Sequence, residues 1–312
     1  MRNISETSSI FIFLGVIEME RFWFLYATLG LVLYLNSSFL CFLILIVVWT
    51  EENLHEPMYI FIGNLVLNGI IVNSSFLPKL ISDLLSGSRT ISTAGCFLQA
   101  FIIHGCAGVE LHTFTLMAYD RYLAISQPLR YVTLMTKQKV WKLIIANWTL
   151  AYVMVFVPII MTSYLPLCGV DINNILCDNM SLVKLACGDT SLNNIVGAVQ
   201  TYLLQISFLL VIIYCYFRTF LVCLKFSKVA SQKATRTLVT HLVAFSTFMV
   251  SSLFITLRYR ISSGSISAST HTLITITGII IPVMVNPLIY GIGTEALKIK
   301  ILQKFHKVKE LF

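Results

Sequence analysis

Charge is what this chain has least of. Lys, Arg, Asp and Glu make up 12% of its 312 residues, and hydrophobic residues make up 57%. An average soluble domain carries about 25% charged and about 45–50% apolar residues. So little charge cannot cover a surface in water, and the solvent for most of the chain must be a bilayer. No polar block is long enough to form a soluble domain. The longest weakly apolar stretch runs from Tyr164 to Asn193. Residues 1–312 therefore read as a single membrane domain.

Other absences narrow the function. Basic clusters interleaved with aromatics are missing, which removes nucleic acid as a partner despite the net charge of +8. No nucleophile–base pattern, phosphate loop or metal motif occurs, so neither an enzyme nor a cofactor is expected. There is no internal repeat of the kind that builds many transporters. Apart from Glu110 the mid-span regions hold almost no charge, and a channel or transporter would need charges along its path. A cleavable signal peptide is also lacking. The apolar run Ile10 to Ile17 follows a polar start whose one basic residue is Arg2, and Glu18, Glu20 and Arg21 interrupt it. The first span is expected to act as its own uncleaved insertion signal.

What is present is a series of seven long apolar stretches, at about 23–49, 58–81, 96–124, 140–164, 195–220, 238–257 and 273–290. Each has roughly the 20 residues that a bilayer core requires. Pro57 opens the second without wasting a donor, and Pro158 inside the fourth is tolerable where neighbours satisfy the freed backbone. The expected fold class is an all-α membrane protein, a seven-transmembrane helix bundle with a short amphipathic C-terminal helix. That last helix falls in 293–312, where Leu297, Ile301, Leu302 and Phe305 alternate with Lys298, Lys300, Lys304 and Lys307. Such a pattern lies on anionic lipid.

Orientation follows from the basic residues. Segments 50–57, 120–142, 218–236 and 293–312 together hold 15 of the 22 lysines and arginines. That side is expected to face the cytoplasm, which leaves residues 1–22 as an extracellular N-terminus. The acidic first inner loop, Thr50 to Glu56, points the other way, but acids count little in this rule.

Four cysteines fall on the outer side, Cys96, Cys168, Cys177 and Cys187. They allow three pairings. Their spacings do not match a zinc pattern. Cys41, Cys106, Cys215 and Cys223 lie in or near spans, where free cysteine acts as a small apolar group. Two outer sequons, at Asn3 and Asn179, are candidate glycosylation sites.

The third span ends in Met117-Ala118-Tyr119-Asp120-Arg121-Tyr122. An acid and a guanidinium where an apolar helix meets water are costly unless paired or used. Arg121 is long enough to fold back over Asp120 or to reach another helix. Near the inner end of span 7 stands Asn286-Pro287-Leu288-Ile289-Tyr290, where Pro287 loosens one turn. Asn36 sits mid-helix in span 1 and Trp148 in span 4.

In this order, on seven spans, these residues resemble the rhodopsin-like G-protein-coupled receptors along essentially the whole chain. The finer resemblance is to odorant receptors. It is carried by Pro57-Met58-Tyr59-Ile60-Phe61, by Met117 through Ile125 with Pro128-Leu129-Arg130-Tyr131, by Lys233-Ala234 through His241-Leu242, and by Pro282 through Tyr290. Leu54-His55-Glu56-Pro57 and Asn68-Gly69 look closer to the fish-type branch. The resemblance implies an odorant bound in the outer half of the bundle and a heterotrimeric G protein, through a stimulatory alpha subunit, at the cytoplasmic face. It implies the pairs Cys96–Cys177 and Cys168–Cys187, and a switch built on Asp120, Arg121, Tyr122, Asn286, Pro287 and Tyr290. Asn68-Gly69 stands where many rhodopsin-like receptors carry an acid, so Glu110 would form a weak sodium site or bond a helix neighbour. The Trp-Pro hinge of the wider family is absent from span 6, which leaves Phe248 as the rotamer switch beside Met249.

Small ligands bind between bundle helices. His104, Gly108 and His112 recur at four-residue spacing on one stripe, and Gly105 and Gly108 leave room for a ligand. Facing candidates are Tyr202, Gln205, Thr256, Tyr259 and Thr275. A rival reading of His104, Cys106 and His112 is a copper site. Arg258 and Arg260 are expected to snorkel to lipid phosphates, or else to attract an anionic ligand. Two other function classes stay open: a receptor-like protein without ligand response, and a transporter or channel.

Overall fold

A computed structural model describes residues 10–225, 228–261 and 268–309. The order is β1 (Ile10–Phe13), α1 (Leu14–Met19), α2 (Trp23–Thr50), α3 (Pro57–Ser86), β2 (Thr90–Ser92), α4 (Thr93–Ser126), α5 (Pro128–Leu134), α6 (Lys137–Ser163), β3 (Asp171–Ile172), α7 (Asn179–Lys184), α8 (Ser191–Cys223), α9 (Lys228–Ile261), α10 (Ala268–Gly293) and α11 (Glu295–Lys309). Among the described residues, seven helices are long and apolar enough to cross a membrane. They form an all-α bundle followed by the short helix α11.

Local chemistry sets the helix ends. Pro57 occupies the first turn of α3, and Gly87 closes that helix at φ 68, a left-handed cap that suits glycine. The Ser92 hydroxyl caps α4 by accepting from the Gly95 N–H at 3.1 Å. Thr136 does the same for α6, accepting from Lys139, and Asp178 for α7, accepting from Ser181 at 2.9 Å.

Central helix α4 packs against α3, α6 and α8. One buried cluster fills the Asp-Arg-Tyr end of the bundle around Phe61, Phe114, Met117 and Tyr290. Another fills the opposite, disulfide-bearing end around Phe11, Phe13, Val16, Cys96 and Cys177. Large apolar side chains such as Phe24, Phe39, Trp49 and Phe217 are exposed on the outside of the helices. An exposed apolar belt of this extent is a liability in water and the correct surface in lipid.

The disulfide-bearing end is more built than a simple tail and loops. β1 pairs antiparallel with β2 and parallel with β3, giving the order β2-β1-β3. Phe11 and Phe13 are fully buried beneath this small sheet. Gly15 sits so close to Asn174, Ile175 and Thr272 that a Cβ there would clash. Ion pairs and polar bonds fasten the segment, Glu20 to Arg89 and Ser269 to Glu18. At the other end, Leu297 of α11 is fully buried. Glu51 of the acidic first loop pairs with Lys300 of α11 at 2.8 Å, so its charge is neutralised within the protein.

Candidate functional site

A cavity of about 290 Å³ lies between α4, α6, α8, α9 and α10 toward the disulfide-bearing end. Most of its wall is apolar, from Val72, Ile103, Leu111, Ile255 and Val283. A few polar groups converge on it. His104, Gly108, Tyr202, Gln205, Thr256 and Thr275 all line it. Gln205 donates to Ser252 at 2.6 Å, which ties α8 to α9 across the cavity. Apolar walls with few oriented polar groups are what a small-molecule site requires. The Tyr259 side chain, with that of Arg260, lies outside the described residues.

Three expectations need correction. Gly105 does not open space for a ligand. A Cβ there would run into the Tyr152 ring, so the glycine lets α4 and α6 approach closely. Gly108 divides its role, lining the cavity while packing on Ala151. Arg258 does not snorkel to lipid. It is buried, donates to the His271 carbonyl at 3.1 Å and to the Thr275 hydroxyl, and pairs with Asp178 at 3.2 Å. The amide of Asn179 is buried and lines the cavity, so a glycan on it has no way out. Asn3 falls outside the described residues.

The copper reading also fails. His112 Nδ1 bonds Asn147 Oδ1 at 3.0 Å, and the Cys106 thiol meets the Tyr152 hydroxyl at 3.4 Å. Among the described residues no three His, Cys, Asp or Glu gather as a metal set. Glu110 is buried and accepts from the Asn286 amide at 2.7 Å, linking α4 to α10. The amide oxygens of Asn68 and Asn286 receive no donor. Glu110 carries oxygens of the type a small hard cation uses, as one acid in place of two.

The roof of the cavity is the loop before α7. Cys177 is joined to Cys96, whose Cα lies 5.2 Å away, and Cys168 to Cys187 at 5.7 Å. Asp178 is the hub. It accepts from Asn174 at 3.1 Å and from the Ser181 hydroxyl at 3.0 Å besides pairing with Arg258. Burial lowers the proton affinity of the Lys184 amine at the end of α7, an effect that the charge of Asp178 offsets only in part.

At the far end, Arg121 folds back on its neighbour. Its Nε donates to Asp120 at 2.9 Å. Asp120 is fully buried and also accepts from the Tyr131 hydroxyl of α5 at 2.8 Å. Burial, then the adjacent Asp120 charge, push the Tyr131 phenol up, so it stays a neutral donor. Tyr122 stacks obliquely near Tyr214 of α8 at 6.3 Å. Tyr290 is buried and bonds His241 of α9 at 3.2 Å. The sequence reading used His241 only as part of a motif and missed this bond. Pro287 lies inside α10, one residue after Asn286. Phe248 lines the cavity and packs on Phe114, 5.7 Å between rings, so it joins the cavity to the core of the Asp-Arg-Tyr end.

Comparison with known proteins points to one family. The family model described as olfactory receptor matches residues 31–308. The chain is 33% identical over 257 residues to olfactory receptor 4B13 of Mus musculus, covering 82% of this chain and 83% of the relative. It is 33% identical over 264 residues to olfactory receptor 52K2 of Homo sapiens, 84% of each chain. With human olfactory receptor 51E1 it shares 31% identity over 316 residues, 97% of this chain and 96% of the relative.

Proposed function

The chain belongs to the olfactory receptor family, multi-pass receptors that sense odorants and signal through G proteins without enzymatic activity, and from that premise we propose how this member works. A small odorant binds in the cavity between α4, α6, α8, α9 and α10. The G protein docks at the Asp120-Arg121-Tyr122 end, which faces the cytoplasm, and its stimulatory alpha subunit raises cyclic AMP. Leu54-His55-Glu56-Pro57 and Asn68-Gly69 support a fish-type member of that family.

The cavity carries this reading. It is apolar, it holds a few aimed polar groups, and it touches Phe248, whose ring reaches the core beneath. An odorant shifts the balance of states only by binding one better than the other. One that fits better when Phe248 turns favours outward movement of α9, which strains the His241–Tyr290 bond. Arg121 then leaves Asp120 for a partner on the G protein. Glu110, bonded to the Asn286 amide, would hold a sodium ion weakly in the resting state.

The test is cyclic AMP in cells displaying the chain, challenged with acidic, steroidal and small neutral odorants beside an Arg121→Ala control. A response that the control loses is expected. A response that survives in the control overturns the role of Arg121. Silence with confirmed surface display favours a receptor that has lost ligand response, and ligand-driven current would point to a channel.

A further inference from the structure

Between α6 and α8 the cavity is lined by side chains that are not buried. Met154 of α6 lines the cavity and is 37% exposed. Facing it on α8 are Gly197, Ala198, Gln200 and Thr201, all part of the cavity lining and none of them buried. At Gly197 a Cβ would meet nothing within 4 Å. Gln200 closes this stretch by donating to the Met154 carbonyl at 2.7 Å. The next polar bond between these helices, Asn193 to Thr162, is long at 3.4 Å and lies nearer the loops. A glutamine at a lipid-facing position of a span is polar glue between helices. Its partner is the backbone of a methionine, and methionine side chains adapt their shape readily.

The roof is held far more firmly. It is tied to α4 by Cys96–Cys177 and by the Cys177 N–H donating to Gln99 at 2.8 Å. It is tied to α9 by Asp178–Arg258, and to α10 by Thr275 donating to Asn174 at 2.9 Å. Opening it would break a buried ion pair, which is strongly unfavourable. Opening the wall breaks one neutral hydrogen bond, worth about 1 kcal/mol or less.

We infer that ligands enter the cavity sideways from the lipid, between α6 and α8, through a gate closed by the Gln200–Met154 hydrogen bond. The ligands this route admits are uncharged and lipid-soluble, an acid entering only in its protonated form. A charged molecule would have to cross hydrocarbon to reach the gate. The inference rests on the reading of the cavity as the odorant site, but its test needs neither odorant nor G protein.

The probe is a cysteine at Ala107, a residue of α4 that lines the cavity. The native free cysteines are buried, so background labelling is low. Cells displaying Ala107→Cys are treated with benzyl methanethiosulfonate, which is neutral and lipid-soluble, or with sulfonatoethyl methanethiosulfonate, which is anionic and stays in water. The neutral reagent is expected to label faster. Gly197→Trp, which fills the open space at the gate, slows that labelling severalfold. Gln200→Ala speeds it about threefold to fivefold, the factor one such bond represents. Surface display of each variant is quantified, and Gln200→Ala decides the matter if the tryptophan impairs folding.

Equal rates for the two reagents, with Gln200→Ala changing neither, would mean entry through the roof and would overturn the gate. Absence of labelling by either reagent would overturn both the gate and an accessible cavity. Gate-dependent labelling in a chain that answers no odorant would leave the gate standing and remove the odorant reading.

Discussion

Two charged side chains at opposite ends of the bundle face opposite demands. Arg258 and Asp178 are nearly free of solvent, and each has several partners. Removing one member of a buried pair leaves the other uncompensated, a loss of about 3–5 kcal/mol. Arg258→Ala and Asp178→Ala should therefore each lower the unfolding temperature of the detergent-solubilised protein. The double change Asp178→Leu with Arg258→Met should be milder than either. Because Asp178 already neutralises Arg258, odorant acids and neutral odorants should lose potency alike in Arg258→Ala. Selective loss for acids would show that the guanidinium binds ligand directly. Arg121, in contrast, keeps 19% of its side chain exposed and is paired with its own neighbour. Asp120→Asn removes the charge that holds it back. With hydrogen bonds to charged groups worth about 1.5 kcal/mol or more, the population of the released state should rise about tenfold. Ligand-free cyclic AMP per displayed receptor measures this, and an unchanged basal level would mean that the pair does not restrain the switch.

Elements differ in how plainly the sequence announces them. The seven spans are legible because some twenty apolar residues in a row have few alternatives. Strands of four, three and two residues carry no comparable signal. Ile10-Phe11-Ile12-Phe13 has strand-like residues, but its partners, Thr90–Ser92 and Asp171–Ile172, are set by the fold. Glycines mislead for a related reason. A missing side chain looks the same whether a ligand or Tyr152 fills the gap, so Gly105 read as room when it is contact. Arg258 failed similarly, since its partner Asp178 lies 80 residues away in a loop. The disulfides tie these loop elements down unequally. Cys96–Cys177 closes a separation of 81 residues and Cys168–Cys187 one of 19. Chain-entropy reasoning makes the first worth about 1 kcal/mol more. Cys96→Ala with Cys177→Ala should thus reduce thermal stability and surface display further than Cys168→Ala with Cys187→Ala. The reverse order would indicate that the second loop contributes contacts beyond the cross-link.

For the molecule as a whole, the distribution of charge and the placement of the site must agree on one orientation. The end that holds Asp120, Arg121 and α11 is the end where basic residues concentrate, and the opposite end holds both disulfides and the roof of the cavity. Positive charge is retained in the cytoplasm, and disulfides persist in oxidising compartments. The two rules use different residues and give the same answer. In the one dissenting segment, the acidic first loop, Glu51 pairs with Lys300. An epitope tag before Met1 should therefore stain on intact cells. A tag after Phe312 should stain only once the membrane is opened. The reverse pattern would put Arg121 outside the cell, where no G protein could meet it, and the cavity roof in a reducing compartment. Odorant sensing and G-protein coupling by the proposed faces would then fail together, so this one staining experiment bears on both ends of the receptor.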